Sequence, residues 1–323
     1  MSDLAHAGTV PDERNDRRLH LAIMVGIVLA LIVTPFFLYP VFVMKCLCFA
    51  LLALAFNLLL GQGGLLSFGH AAFFGMASYV SAYAAASWQL PPELAILAGM
   101  LAATVLGAVF GSLAIRRQGI YFAMITLALA QMVYFFSLQA TGFTGGEDGI
   151  QGVPRGMLFG VIDLSSDRAL YWVVAAIFMA ALAAMYRIMN SPFGEVCKAI
   201  RDNEPRAISL GYGVNRYKLT IFILSATLAG LAGAMKALVF QLATLTDVHF
   251  SMSGEAVLMS LVGGVGTIFG PIVGAFVIVT MQNYLASLGG WVTVIQGVVF
   301  VFCVIAFRDG IVGTLARLIR RPL

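Results

Sequence analysis

Residues 254–266 read Gly-Glu-Ala-Val-Leu-Met-Ser-Leu-Val-Gly-Gly-Val-Gly, an apolar run interrupted by glycines at its end. Whether this run crosses a membrane decides the fold of the whole chain. Other apolar runs fall at 19–38, 41–60, 66–88, 93–115, 119–140, 169–189, 219–240, 268–287 and 290–307. A spanning helix needs roughly 20 residues, and most of these runs are about that long. Counted as a crossing, 254–266 gives ten spans with both termini on one side. Counted as a half-helix that turns back, it puts the termini on opposite faces.

The basic residues choose between the two. With ten spans, one face carries the tail 1–18, the Arg116–Arg117 turn, the stretch 187–218 and the tail 308–323, together 15 of the 19 Lys and Arg residues. The other face carries Arg155 and Arg168. Lys45 and Lys236 fall near the outer ends of their runs, where a long amine reaches the interface by snorkelling. Cytoplasmic loops are the ones rich in Lys and Arg. The reading is therefore an all-α polytopic membrane protein of ten transmembrane helices with both termini cytoplasmic. Its parts are a tail at 1–18, a membrane domain at 19–307 and a basic tail at 308–323.

Composition agrees. Of 323 residues 61% are hydrophobic and 11% charged, which excludes a disordered chain and an ordinary soluble domain. The polar first 18 residues, with Arg14, Arg17 and Arg18 before the first run, lead into a retained helix rather than a cleaved signal peptide. Cys46, Cys48, Cys197 and Cys303 lack metal-ligand spacing and read as small buried thiols.

Ten spans divide five and five, and halves of opposite orientation form an inverted repeat, a frequent transporter plan. Gly63-Gly64 with Phe68-Gly69 echoes Gly263-Gly264 with Phe269-Gly270. Both stretches start at the same face, which does not suit inversion, and the echo reads as chance among glycine-rich helices. Gly99, Ala103, Gly107 and Gly111 make a small-residue stripe at four-residue spacing, as do Ala229, Gly230 and Gly233, and Gly270 and Gly274. Such stripes let helix backbones approach in lipid, here within one bundle rather than across a dimer.

Polar side chains inside apolar runs are costly and tend to face a cavity or each other. Gln62, Ser67, His70, Thr126 and Gln131 are the candidates for a pathway, with Asn57, Gln282, Asn283 and Gln296 behind them. Ionisable residues are scarce in the span centres, which disfavours an ion-coupled carrier. No Gly-Lys dipeptide occurs, hence no phosphate-cradling loop. Energy for active transport has to come from another subunit.

The longest inside loop, 190–218, has a legible pattern. Asn203 or Glu204 caps a helix, Pro205 suits its first position and Gly211 suits a left-handed exit, bracketing a helix of about 205–210 after a first one of about 194–202. A single capped turn is unstable alone in water, so it reads as a docking element for a cytoplasmic partner. The longest outer loop, 141–168, sets Glu147, Asp148, Asp163 and Asp167 against Arg155 and Arg168, with Gly145, Gly146 and Gly149 in turns.

The run from Ala199 through Asp202, Asn203, Glu204, Pro205, Arg206 and Ala207 to Leu210-Gly211-Tyr212 resembles the branched-chain amino-acid ABC transporter permeases, in their LivM-like branch. So do Leu66-Ser67-Phe68-Gly69-His70-Ala71-Ala72-Phe73, Thr144 to Gly149, and Gly263-Gly264-Val265-Gly266-Thr267, in consistent order between about 45 and 308. The resemblance implies the permease subunit of a binding-protein-dependent importer in the bacterial inner membrane, not an enzyme. It implies a sister permease, two ATPase subunits that hold ATP and magnesium, and a periplasmic binding protein. Asn203, Glu204, Pro205, Arg206, Ala207, Ile208, Ser209, Leu210 and Gly211 would be the ATPase-docking coupling helix. Gly145, Gly146, Glu147, Asp148 and Gly149 would face the binding protein or form a lip on the pathway. The general permease signature fits loosely, since Gly211 sits one place late. Urea, short amides or aromatic acids are alternative cargoes within the family, and a stand-alone carrier or channel is the alternative class.

Overall fold

The computed structural model describes residues 13–307 and 309–319. The tails expected at 1–18 and 308–323 lie outside it at 1–12, 308 and 320–323. Helix α1 spans Glu13–Phe37, α2 Pro40–Asn57 with a π-helical continuation Leu58–Gln62, α3 His70–Ala86, α4 Pro92–Ala114 and α5 Ile120–Gln139. After a single turn, α6 (Thr141–Thr144), come strands β1 (Ile150–Gln151), β2 (Met157–Leu158) and β3 (Ile162–Asp163). Then follow α7 (Asp167–Met189), α8 (Pro192–Asp202), α9 (Glu204–Ser209), α10 (Val214–Phe240), β4 (Leu242–Ala243) and α11 (Leu245–Val248). The chain closes with α12 (Phe250–Gly263), α13 (Gly270–Leu285), α14 (Trp291–Ala306) and α15 (Gly310–Ile319).

Among the described residues six helices are long and apolar enough to cross a membrane: α1 from Leu19, α2 with its π turn, α4, α5, α7 and α10. Shorter apolar helices stand at 250–263, 270–285 and 291–303. The chain is a largely helical, polytopic membrane protein. The expected run 66–88 is helical only from His70, and 254–266 is helical from Phe250 and stops at Gly263. In both places a glycine pair ends or follows the helix and several residues pass before the next one begins.

Which helices are central is not a matter of how apolar they are. In α2 and its π turn 89% of the spanning window is buried, while in the equally apolar α1 it is 6%. Helices α2, α3 and α10 form the centre; α1, α4, α5 and α7 give one face to the bundle and one to the outside. Small residues make the centre close. A Cβ on Gly107 or Gly230 would overlap Ala226 or Ala103 across the α4–α10 contact, and one on Gly99 would lie 2.6 Å from the Ala77 oxygen of α3. The stripes thus pack helices within the bundle.

Helix α1 contains Pro35, which has no N–H to give to the Leu31 carbonyl one turn back. The Tyr171 hydroxyl of α7 donates to that oxygen at 2.6 Å. In lipid a freed carbonyl needs such a partner, because no water is there to supply one.

The joins gather at two ends. At one, the α4–α5 join at Gln118–Gly119, Gly63–Gly64, and Arg201, Glu204 and Lys218 line a common hollow of about 160 Å³. At the other, β1 pairs antiparallel with β4 (Ile150 opposite Ala243), β2 pairs with β3, and Glu93 at the start of α4 accepts from the Phe159 N–H at 3.3 Å.

Candidate functional site

The loop between α7 and α10 folds into two capped helices. Ser191 accepts from the Gly194 N–H at 3.3 Å to start α8, and Asn203 accepts from the Arg206 N–H at 3.0 Å to start α9. Pro205 fills the first turn of α9. Gly211 leaves at φ +86°, a conformation costly for a residue with a Cβ. The helix lies one residue earlier than 205–210 because Asn203 is the cap and Glu204 the first helical residue.

One ion pair holds this element to α10: Glu204 of α9 meets Lys218 at 2.7 Å with side chains only 20% and 8% exposed. Arg201 also meets its neighbour Asp202 at 2.9 Å, at the surface of α8. Beneath them Ile200, Ala207 and Val214 are buried, and Phe193 stacks on Tyr217 with ring centroids 5.7 Å apart. What remains outside is apolar: Ile208 is 58% and Leu210 69% exposed, and Tyr212 is exposed beside them. An apolar hollow of about 350 Å³ opens between α8 and α9, lined by Val196, Ala199, Ile200, Ala207, Leu210 and Tyr212.

Cys197 of α8 is buried against the main core of the bundle, and burial pushes its thiol up to about 11. Only the thiolate reacts, so a rise from the ordinary 9.0 removes roughly 99% of it at neutral pH. In a variant with Cys46, Cys48 and Cys303 replaced by Ala, maleimide should label folded protein roughly 100-fold more slowly at pH 7.5 than denatured protein. The rate should climb as the pH rises towards 11. Equal rates in the two states would refute this.

The candidate pathway residues divide. Ser67, Thr126 and His70 come together around the gap between α2 and α3. The Ser67 hydroxyl accepts from the Gly69 N–H at 3.1 Å, and Thr126 accepts from the Phe68 N–H at 3.1 Å. His70 Nε2 lies 2.8 Å from Ser225 Oγ, which donates its own hydrogen to the Ala55 oxygen at 2.6 Å. Ser225 therefore accepts, and His70 Nε2 carries the proton. Its ring stands edge-on to Phe56 and Phe73. Gln62 is buried at the end of the π turn, where its Oε1 meets no donor among the described residues. Gln131 lies further along α5, half-buried. Ser253 of α12, which the sequence did not single out, accepts from the Ala71 N–H and donates to the Phe68 oxygen, both at 2.8 Å. It lies 185 residues from Phe68, so no local pattern announces the pair.

At the opposite end Glu147 and Asp148 are exposed at the tip of a turn made by Gly145, Gly146 and Gly149, all left-handed. A Cβ on Gly149 would overlap the Ala243 carbonyl, which fixes this turn against β4. Arg155 ties the loop down, meeting Asp167 at 2.7 Å and the Val239 oxygen at 2.9 Å. Lys236 does not snorkel: it is buried and paired with Asp247 of α11 at 2.6 Å.

A bundle apolar on its outside, closed inside by glycine contacts and polar clasps, and carrying a capped element at one end is a multi-pass membrane protein. The family described as branched-chain amino acid transport system / permease component matches residues 39–307, and the chain belongs to that family. Over 291 residues it is 27% identical to the high-affinity branched-chain amino acid transport system permease protein LivM of Escherichia coli (strain K12), covering 81% of this chain and 67% of that one. It is 23% identical over 249 residues to the LivH permease protein of the same named system in Salmonella typhimurium, covering 71% and 79%. The ribose import permease protein RbsC of Haemophilus influenzae is 27% identical over 210 residues, 62% of each chain. No solved structure matches the chain.

Proposed function

We propose that the chain is the membrane permease subunit of an ATP-driven importer for branched-chain amino acids, with ten transmembrane helices and both termini in the cytoplasm. It works in a bacterial inner membrane beside a sister permease, above two ATPase subunits, and receives substrate from a periplasmic binding protein. Similarity to both LivM and LivH supports a pair of related permeases. The family match and these two relatives favour an amino acid over the sugar named for RbsC.

The observation that carries this reading is α9. It is six residues long, capped by Asn203 and bolted to α10 by Glu204–Lys218, yet it presents Ile208 and Leu210 to the outside. A helix this short has no stability of its own, and adjacent exposed apolar side chains mark a surface that another protein covers. Movement of a docked ATPase subunit then reaches α10 through that ion pair, and alternating access follows. Ile208→Asp combined with Leu210→Asp alters only exposed side chains. The variant should reach the membrane in normal amount, lose co-purification with the ATPase subunits and take up no substrate. Normal co-purification would refute the docking role, and uptake by this chain alone would favour a stand-alone carrier.

A further inference from the structure

The contacts between the docking element and the two helix breaks run in series. Arg201, in the last turn of α8, donates through Nη1 to the carbonyl of Gly61, in the π turn that ends α2. Its stem crosses Gly64, where a Cβ would lie 2.7 Å from Arg201 Cγ. Gly61 touches the second break, since a Cβ there would lie 2.8 Å from the Gly266 Cα. One turn before it, the fully buried Asn57 spans the same contact. Its Nδ2 donates to the Thr267 oxygen at 2.8 Å and its Oδ1 accepts from the Gly266 N–H at 2.8 Å.

These bonds join places where the helical ladder is interrupted, so the backbone there is held by side chains. A guanidinium on a helix-end carbonyl is charge-assisted and complements the helix dipole. A buried amide that satisfies two backbone groups is hard to replace, because either group left alone is costly. Both helices that follow the breaks, α3 and α13, begin within four residues of these contacts or of Thr126 and Ser253, which fasten Phe68.

We infer that Arg201 and Asn57 are positioning residues that relay movement of the docking element into the paired helix breaks, so that α3 and α13 shift together. The inference rests on the proposed ATP-driven import. Coupling between distant sites is carried by chains of packed side chains and hydrogen bonds, and these contacts form such a chain.

The test uses the complete complex, with its ATPase subunits and loaded binding protein, in proteoliposomes. The readout is leucine taken up per ATP hydrolysed. Arg201→Ala and Asn57→Leu should each lower that ratio roughly tenfold while basal hydrolysis continues. The double variant should be no worse than the poorer single one, because the two act in series. Arg201→Lys keeps one donor and should recover part of the loss. Lys198→Ala, which removes an exposed pair with Glu195, should change nothing. Wild-type ratios in both single variants, or losses that multiply in the double one, overturn the relay and leave the import reading standing. A wild-type complex that hydrolyses ATP without uptake overturns both. If Asn57→Leu fails to assemble, the Arg201 variants decide alone.

Discussion

Replacing Asp247 by Ala should cost about 3–5 kcal/mol, because it leaves the Lys236 ammonium buried with no counter-charge. The two side chains are 4% and 9% exposed. Asp247 also accepts from the N–H and the hydroxyl of Thr244, at 3.1 and 3.2 Å, as the capping box of α11. Lys236 reaches the Leu242 oxygen at 3.3 Å as its other bond. The single variant therefore loses an ion pair and a helix cap together. The unfolding temperature of the purified chain should fall by roughly 10 °C. Lys236→Met added to Asp247→Asn removes both charges, keeps a capping oxygen, and should recover most of the loss. A single variant that unfolds within 2 °C of the parent would show that the pair is not desolvated.

Gly233→Leu should prevent accumulation of folded protein. A Cβ at this position would overlap the Phe74 carbonyl oxygen, so the obstacle is helical backbone in the second turn of α3, which cannot turn aside as a side chain does. The penalty lies at or above the upper end of the roughly 1–3 kcal/mol that overpacking usually costs. Gly26→Ala supplies the contrast: nothing lies within 4 Å of its Cβ, and the better helix former should be tolerated or mildly stabilising. Size-exclusion profiles of fluorescent fusions compare the two directly. A monodisperse Gly233→Leu peak at parental height would refute the close α3–α10 contact.

Much of this architecture is written in local signals. The apolar runs at 93–115, 119–140 and 169–189 became α4, α5 and α7 within two residues at most ends, since each is bounded by turn or cap residues. Asn203, Pro205 and Gly211 located α9 because capping is chemistry between neighbours. The breaks were harder. Gly63-Gly64 and Gly263-Gly264 are visible as a pair, but the echo read as chance. The structure brings the two segments into contact through Asn57, which bonds to residues 209 and 210 positions away. Lys236 shows the same blindness over a shorter distance. Its partner Asp247 is 11 residues on, beyond a strand and a turn, so only the folded chain shows that an apparent snorkelling amine is half of a buried pair. Hydropathy could not distinguish α1 from α2 either, because lipid and protein interior are equally apolar surroundings for a leucine.

Helix α1 lies outside the span that matches the family, 39–307, and its polar contacts come from residues far along the chain. Its open carbonyl at Leu31 is satisfied by Tyr171, and His20 packs on Tyr186 and Phe269. During synthesis α1 is made with a proline-freed oxygen, and the hydroxyl that closes it arrives about 140 residues later. Of the two aromatics that seat His20, Tyr186 follows on the same helix and Phe269 comes later still. Docking of α1 onto the bundle therefore requires α7, which carries both Tyr171 and Tyr186, to have been made.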